Sequence, residues 1–202
     1  MSKILKITFC LACLSLSNIL LAETEVSVFA GYRGGGEFEE INTGEKLSIT
    51  EDESTGFSIW WTYDENTFIE VLYSHQEAQL TSSTAPTDVL IDLDIDYFHF
   101  GGVYQWPGTN KAKPYLSGTI GVTHYSPETG GYDSKSRASL GLGLGTRINL
   151  TKNLGLKFEG KGFATVLDSG GAIFCNNGNC RIVAAGSAIW QYQLQAGLSY
   201  SF

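Results

Sequence analysis

Several features that would place the chain in a familiar class are missing. Past residue 22 there is no run of about 18 apolar residues, so no helix from that part can cross a bilayer. Basic residues are few: 13 Lys and Arg stand against 21 Asp and Glu, a formal net charge of −8. A chain this acidic has no electrostatic footprint for nucleic acid. The three histidines, His75, His99 and His124, are too widely spaced to form a metal motif. No glycine-rich phosphate loop is present, because the glycines of LGLGLG (Gly141, Gly143, Gly145) recur at alternate positions, as in a strand. Nothing in the sequence implies a cofactor.

What is present begins with a leader. Lys3 and Lys6 precede an apolar run from Ile7 to Leu21, and a small residue, Ala22, stands before Glu23. This is the layout of a secretory signal peptide over residues 1–22, cleaved after Ala22. An uncleaved anchor is disfavoured by Ser15, Ser17 and Asn18 within the run and by the lack of a basic cluster after it. Neither Cys10 nor Cys13 has the surroundings of a lipid-attachment site. Export leaves residues 23–202 as one domain, and losing Lys3 and Lys6 moves its net charge from −8 to −10. Of the four cysteines, Cys175 and Cys180 remain, in the loop CNNGNC. In an oxidising compartment that spacing is expected to close a small disulfide. A metal site, the alternative, lacks further Cys or His nearby.

The clearest pattern lies at the end of the chain. Ala188, Trp190, Tyr192, Leu194, Ala196, Leu198, Tyr200 and Phe202 alternate with Gln191, Gln193, Gln195, Gly197, Ser199 and Ser201. The period is two, over more than the roughly 9–11 residues a tilted strand needs to cross a bilayer, with one face apolar and the other polar. The expected fold is therefore all-β, an eight-stranded antiparallel up-and-down transmembrane barrel, apolar outside and polar inside.

Seven earlier segments fit the same scheme. The first puts Val26, Val28, Ala30 and Tyr32 outward and Arg33 inward, since a basic group at the lipid midplane costs about 2–4 kcal/mol. The second puts Phe57, Ile59, Trp61 and Tyr63 outward; the third, Ile69, Val71 and Tyr73 outward and Glu70, Ser74 and Gln76 inward. In the fourth, Val89, Ile91, Leu93, Ile95 and Tyr97 are taken as outward. Asp92, Asp94 and Asp96 then face the lumen or stand above the membrane, and a bulge is needed to keep His99 from lipid. The fifth, sixth and seventh put Leu116, Ile120 and Val122, then Leu140, Leu142 and Leu144, then Leu156 and Phe158 outward. Arg147, Lys157, Glu159 and Lys161 face inward. Short turns at Asp64-Glu65-Asn66, Trp106-Pro107-Gly108 and Thr151-Lys152-Asn153 alternate with four longer loops. One of these, residues 34–56, holds seven acids against Lys46, and another, residues 167–186, holds the cysteine pair. A barrel of eight strands is just wide enough for side chains to fill, so the acids and bases inside are expected to pair and plug it.

With VSVFAGYR at its start, KPYLSGTIGV in the middle and LQAGLSYSF at its end, the chain resembles the small eight-stranded outer-membrane β-barrels of Gram-negative bacteria, such as OmpX and the membrane domain of OmpA. The resemblance implies residence in the bacterial outer membrane among lipid and lipopolysaccharide. It also implies that Leu198, Tyr200 and Phe202 act as a signal to the outer-membrane assembly machinery, a transient partner. His124-Tyr125-Ser126 resembles the His-x-Ser pair of lipid A deacylases, but Pro127 follows where that family has Asn. Ala138 and Leu140 stand on the neighbouring strand where an orienting Glu is required. The preferred expectation is a non-enzymatic protein, structural or surface-interacting, whose loops meet an extracellular ligand. The alternatives are a lipid A modifying hydrolase using His124 and Ser126, and a small channel for ions or apolar solutes.

Overall fold

The computed structural model describes residues 24–40, 46–82, 89–107, 111–128, 133–167, 172–176, 179–184 and 188–202. The leader of residues 1–22, Gly108 and parts of the long loops lie outside the described residues. Among the described residues twelve strands run in chain order: β1 (Thr24–Gly35), β2 (Glu37–Glu40), β3 (Lys46–Ile49), β4 (Asp52–Asp64), β5 (Thr67–Ser82), β6 (Val89–Gln105), β7 (Ala112–Pro127), β8 (Lys135–Asn149), β9 (Leu154–Val166), β10 (Ala172–Asn176), β11 (Asn179–Ala184) and β12 (Ala188–Ser201).

Eight of these close a barrel. Antiparallel pairing runs β1–β4–β5–β6–β7–β8–β9–β12 and back to β1, with Val26 opposite Tyr200 and Gly35 opposite Gln191 in the closing seam. Closure leaves no edge within the bilayer, which is what makes a β-structure viable there. The short connections close as their residues dictate. Glu65 N donates to Asp64 Oδ1 at 2.8 Å, and Leu154 N donates to Thr151 Oγ1 at 3.0 Å in the β8–β9 turn.

The other four strands lie in the two loops read from sequence as long connections. At Gly35 and Gly36, φ reaches 90° and 100°, a region that costs glycine little. There the chain leaves the barrel and turns into the β2–β3 hairpin. A Cβ on Gly36 would also lie 2.7 Å from Ile49 Cδ1. β3 then pairs with the far end of β5, Leu47 opposite Ser82 and Ile49 opposite Leu80. β2, β11 and β10 continue the sheet outward. Cys175 and Cys180 stand opposite one another in the β10–β11 register. β5 and β6 reach this upper sheet because they run for 16 and 17 residues, well past the roughly 9–11 that a crossing takes.

The alternation expected for strands one to three and five to eight holds. Val28, Tyr32, Phe57, Leu116, Ile120, Leu140, Leu142, Leu144, Phe158, Leu194 and Leu198 are exposed on the outside. Arg33, Glu70, Ser74, Gln76, Ser117, Thr119, Arg147, Lys157, Glu159 and Lys161 are buried inside.

The fourth strand is a correction. Ile91, Leu93, Ile95 and Tyr97 are buried within, while Asp92, Asp94 and Asp96 lie on the outer face. No bulge is needed. β6 pairs without interruption with both neighbours past His99, which opposes Leu72 and Gly121. His99 is buried inside, and Phe98 and Phe100 meet the lipid. Apolar side chains face hydrocarbon within the bilayer but turn away from water above it. The apolar face of β6 therefore changes sides between Tyr97 and Phe98, although the strand does not.

Candidate functional site

On several strands the outward face changes character toward the loops. Phe57, Tyr73, Phe98, Val122 and Ala138 form one continuous row across β4 to β8, and the next row toward the loops is Thr55, His75, Asp96, His124 and Ser136. All point outward. The first row is largely apolar and the second polar, so on these strands the outward face changes from apolar to polar between them, as it does where a strand leaves the hydrocarbon layer. In the polar row His75 Nδ1 lies 2.9 Å from Asp96 Oδ1, which also accepts from Tyr73 OH at 2.8 Å.

Below this boundary the lumen is filled in layers. At the short-turn mouth Arg147 Nε pairs with Glu25 Oε2, Lys157 Nζ lies 3.3 Å from Glu25 Oε1, and Arg147 Nη2 donates to Ser201 Oγ at 3.0 Å. A cavity of about 160 Å³ opens here, bordered by Glu65, Phe68, Lys113 and Arg147. Next comes an aromatic layer. Trp60 and Tyr115 meet edge-on with ring centroids 4.9 Å apart, and Lys157 Nζ sits 3.0 Å from the Trp60 ring centroid. Trp60 Nε1 donates to Glu70 Oε1 at 2.9 Å. Lys161 bridges Glu70 and Glu159 at 3.1 and 3.2 Å, while Ser117 Oγ and Gln195 Nε2 donate to Glu159 at 2.7 and 2.8 Å.

Higher still, both His99 ring nitrogens are engaged, Nδ1 with Thr119 Oγ1 at 2.9 Å and Nε2 with Ser139 Oγ at 2.8 Å. Room for this ring comes from glycine: a Cβ on Gly121 would fall 2.7 Å from His99 Cδ2, and one on Gly141 would fall 3.2 Å from His99 Nδ1. Gly143 likewise makes way for Lys161, and Gly145 for Tyr115, as the alternating glycines suggest. Arg33 donates through Nε and Nη2 to Gln193 Oε1 at 2.9 and 2.6 Å and through Nη2 to Ser74 Oγ. Its guanidinium lies 4.5 Å from the Tyr97 ring centroid.

Above the boundary the interior turns apolar. Phe38, Leu47, Ile49, Leu80, Ile91, Leu93 and Ile95 belong to one buried cluster that closes the barrel on the loop side. Its outer wall is acidic: a cleft of about 260 Å³ is lined by Asp52, Glu77, Gln79, Asp92, Asp94 and Glu128.

The residues singled out by sequence fall as follows. His124 and Ser126 share the outer face just above the boundary but do not meet one another: His124 Nδ1 contacts Ser136 Oγ at 2.9 Å and Ser126 Oγ contacts Ser134 Oγ at 3.3 Å. Leu198, Tyr200 and Phe202 are exposed along one outward line, and the Tyr200 and Phe202 rings meet at 5.0 Å. Asp92, Asp94 and Asp96, expected in the lumen or above the membrane, are above it. Sequence reading placed Tyr115 inside but missed Glu25, His99 and the inner aromatics Trp60, Tyr97, Tyr125 and Phe163. Parity with Ser27 and Arg33 identifies Glu25. Parity with Phe57, Ile59, Trp61 and Tyr63 likewise leaves Trp60 on the inner face. Among the described residues no three of His, Cys, Asp or Glu are grouped to hold a metal ion.

A closed ring of eight strands with a lipid-facing apolar belt and a charged, filled interior defines a transmembrane β-barrel. The chain belongs to the outer membrane protein beta-barrel domain family, whose model matches residues 9–202, and it resides in the bacterial outer membrane. Among solved structures it is similar to the crystal structure of Neisserial surface protein A (NspA), at 16% identity and a TM-score of 0.61, over 89% of this chain and 97% of that one. The outer membrane protein AlkL, solved by solid-state NMR in lipid bilayers, is 15% identical with a TM-score of 0.61, over 90% of each chain. OprG from Pseudomonas aeruginosa is 14% identical with a TM-score of 0.60, over 90% of this chain and 96% of that one. At such identities the likeness is one of fold. No curated protein sequence matches the chain.

Proposed function

We propose that the protein is a non-enzymatic, non-conducting barrel that holds an acidic β-sheet platform outside the cell, where it meets a ligand with a basic surface. The observation that carries this reading is the cap. It joins the upper ends of β5 and β6 to the short strands β3, β2, β11 and β10, its inside is packed with Leu80, Ile91, Leu93 and Ile95, and its outer wall presents Glu53, Glu77, Asp94 and Glu128. A loop that served only to connect strands needs no apolar core. The lumen supports the non-conducting part, since its carboxylates are tied to Arg147, Lys157 and Lys161 and an apolar plug lies above them. The non-enzymatic part is supported by His124, whose Nδ1 meets a serine hydroxyl rather than a carboxylate.

Lipopolysaccharide and outer-membrane lipid are its surroundings. Leu198, Tyr200 and Phe202 are the segment offered to the assembly machinery, and Cys175 and Cys180 form a disulfide across the β10–β11 hairpin. The test uses the protein in lipid vesicles and a lysine-rich peptide as the basic probe. Wild-type protein should bind the peptide in a salt-sensitive way, and the triple charge reversal E53K/E77K/D94K should lose that binding while keeping the barrel's resistance to denaturant. A wild type that ignores the peptide, or a triple variant that binds it equally well, overturns the reading. Steps of current in planar bilayers would dismiss the sealed lumen, and a changed acyl pattern of lipid A in cells making the protein would dismiss the non-enzymatic claim.

A further inference from the structure

Among the described residues the buried lumen holds four cations, Arg33, Arg147, Lys157 and Lys161, but three carboxylates, Glu25, Glu70 and Glu159. Those carboxylates are all used at the two lower levels. Glu25 faces Arg147 and Lys157, and Lys161 joins Glu70 to Glu159. Arg33, fully buried on the level above, is the cation left over.

Its hydrogen-bond partners, Gln193 and Ser74, are neutral, and Nη1 has none among the described residues. Arginine does not shed its proton inside a protein, so the charge remains. The Tyr97 and Phe163 rings, 4.5 and 5.5 Å from the guanidinium carbon, offset part of it. A full charge shut away from water ordinarily has a counter-charge as well. Water is excluded from above by Leu93 and Ile95, and Asp96, on the same strand as Tyr97, points to the outside of the wall.

The surrounding wall has a further donor to spare. Tyr97 OH donates to Gln191 Oε1 at 2.6 Å, and the amide Nε2 of Gln191 is buried without a partner. The Tyr125 hydroxyl is already engaged with Tyr97 and Thr165. Tyr97 opposes Thr123 and Ile95 opposes Tyr125, so the two tyrosines are diagonal neighbours on the inner face. A buried guanidinium N–H and an amide N–H, both unused, on one stretch of wall call for an acceptor that carries negative charge.

We propose that the upper lumen encloses one small monovalent anion, a halide, held by Arg33 Nη1 and Gln191 Nε2. A spherical acceptor suits donors arriving from different strands, and it needs no partner for hydrogens of its own. The anion is structural: it is taken up as the barrel closes and completes the charge balance of the core.

The experiment refolds the leaderless chain from denaturant into detergent with sodium bromide as the sole salt, or with sodium gluconate at equal ionic strength. Crystals grown from bromide should show an anomalous peak against the Arg33 guanidinium, and the thermal midpoint should be several degrees higher in bromide than in gluconate. Arg33→Met should abolish that difference. A bromide map without a peak at Arg33 overturns the proposal. So do equal midpoints in the two salts, or a halide effect that persists in Arg33→Met. If that variant does not fold, the wild-type map and midpoints decide alone.

Discussion

On β6, Leu93 and His99 point to the same side of one strand, yet Leu93 packs in an apolar cluster and His99 in a polar web with Thr119 and Ser139. Across the strand, Asp94 faces water and Phe100 faces hydrocarbon. The cap and the lumen are thus built from continuous strands with opposite insides, because the medium outside them differs. In lipid the apolar side chains have somewhere to go outward and the polar ones must satisfy each other within. In water the preference is reversed. The inner and outer polarity of a strand is therefore a local property, and the place where it inverts marks the membrane surface.

That contrast can be broken or sharpened by substitution. The largest effect is expected within the lumen. Lys161→Met strands Glu70 and Glu159 without their cation, and removing one partner of such a buried network costs about 3–5 kcal/mol. Urea unfolding in detergent reads this directly, and a midpoint like that of the wild type would mean the layer is hydrated and the plug is not one.

In the cap the vulnerable group is apolar. Leu93→Ala, at a buried position in the cluster, should cost about 2–5 kcal/mol through lost contacts and a cavity. Limited proteolysis should show the loop-side strands cut while the barrel within the bilayer stays whole. Cleavage no faster than in wild type would remove the claim that the cap has a core.

A matched pair of outward positions tests the boundary. Leu142→Arg, on the lipid face of β8, should destabilise by about 2–4 kcal/mol. Glu77→Arg, on the outward face of β5 two rows above Tyr73, should stay within about 0.5 kcal/mol, as exposed surface changes do. Equal costs for the two, measured by unfolding from vesicles, would place the membrane surface elsewhere. The smallest effect belongs to the boundary row itself. His75→Gln loosens a half-exposed contact with Asp96, and the change should be below about 1 kcal/mol.

The barrel strands were legible because in lipid a charged or polar residue fixes the inner face: Arg33, Glu70 and the Lys157-Glu159-Lys161 series each set the parity of a whole strand correctly. The same reasoning failed on β6, where Ile91, Leu93 and Ile95 alternate with aspartates as cleanly as any membrane strand. A period of two says that the two faces differ without saying which is outside. The four short strands look like loop for a related reason, since segments of four to six residues carry little periodic signal of their own. The Arg33 pocket was hidden altogether. Its partners Ser74, Tyr97, Tyr125, Gln191 and Gln193 come from four other strands, and nothing in their spacing along the chain brings them together.

Sequence alone, then, determined the eight crossing strands, their alternation and the side of most of them, because each crossing must solve the solvation of its own residues one by one. Only the tertiary structure decided where the bilayer stops, that the long connections build a cored cap, and which cation has no carboxylate. Those depend on the stagger between neighbouring strands, which sets heights and contacts jointly and is written in no single segment.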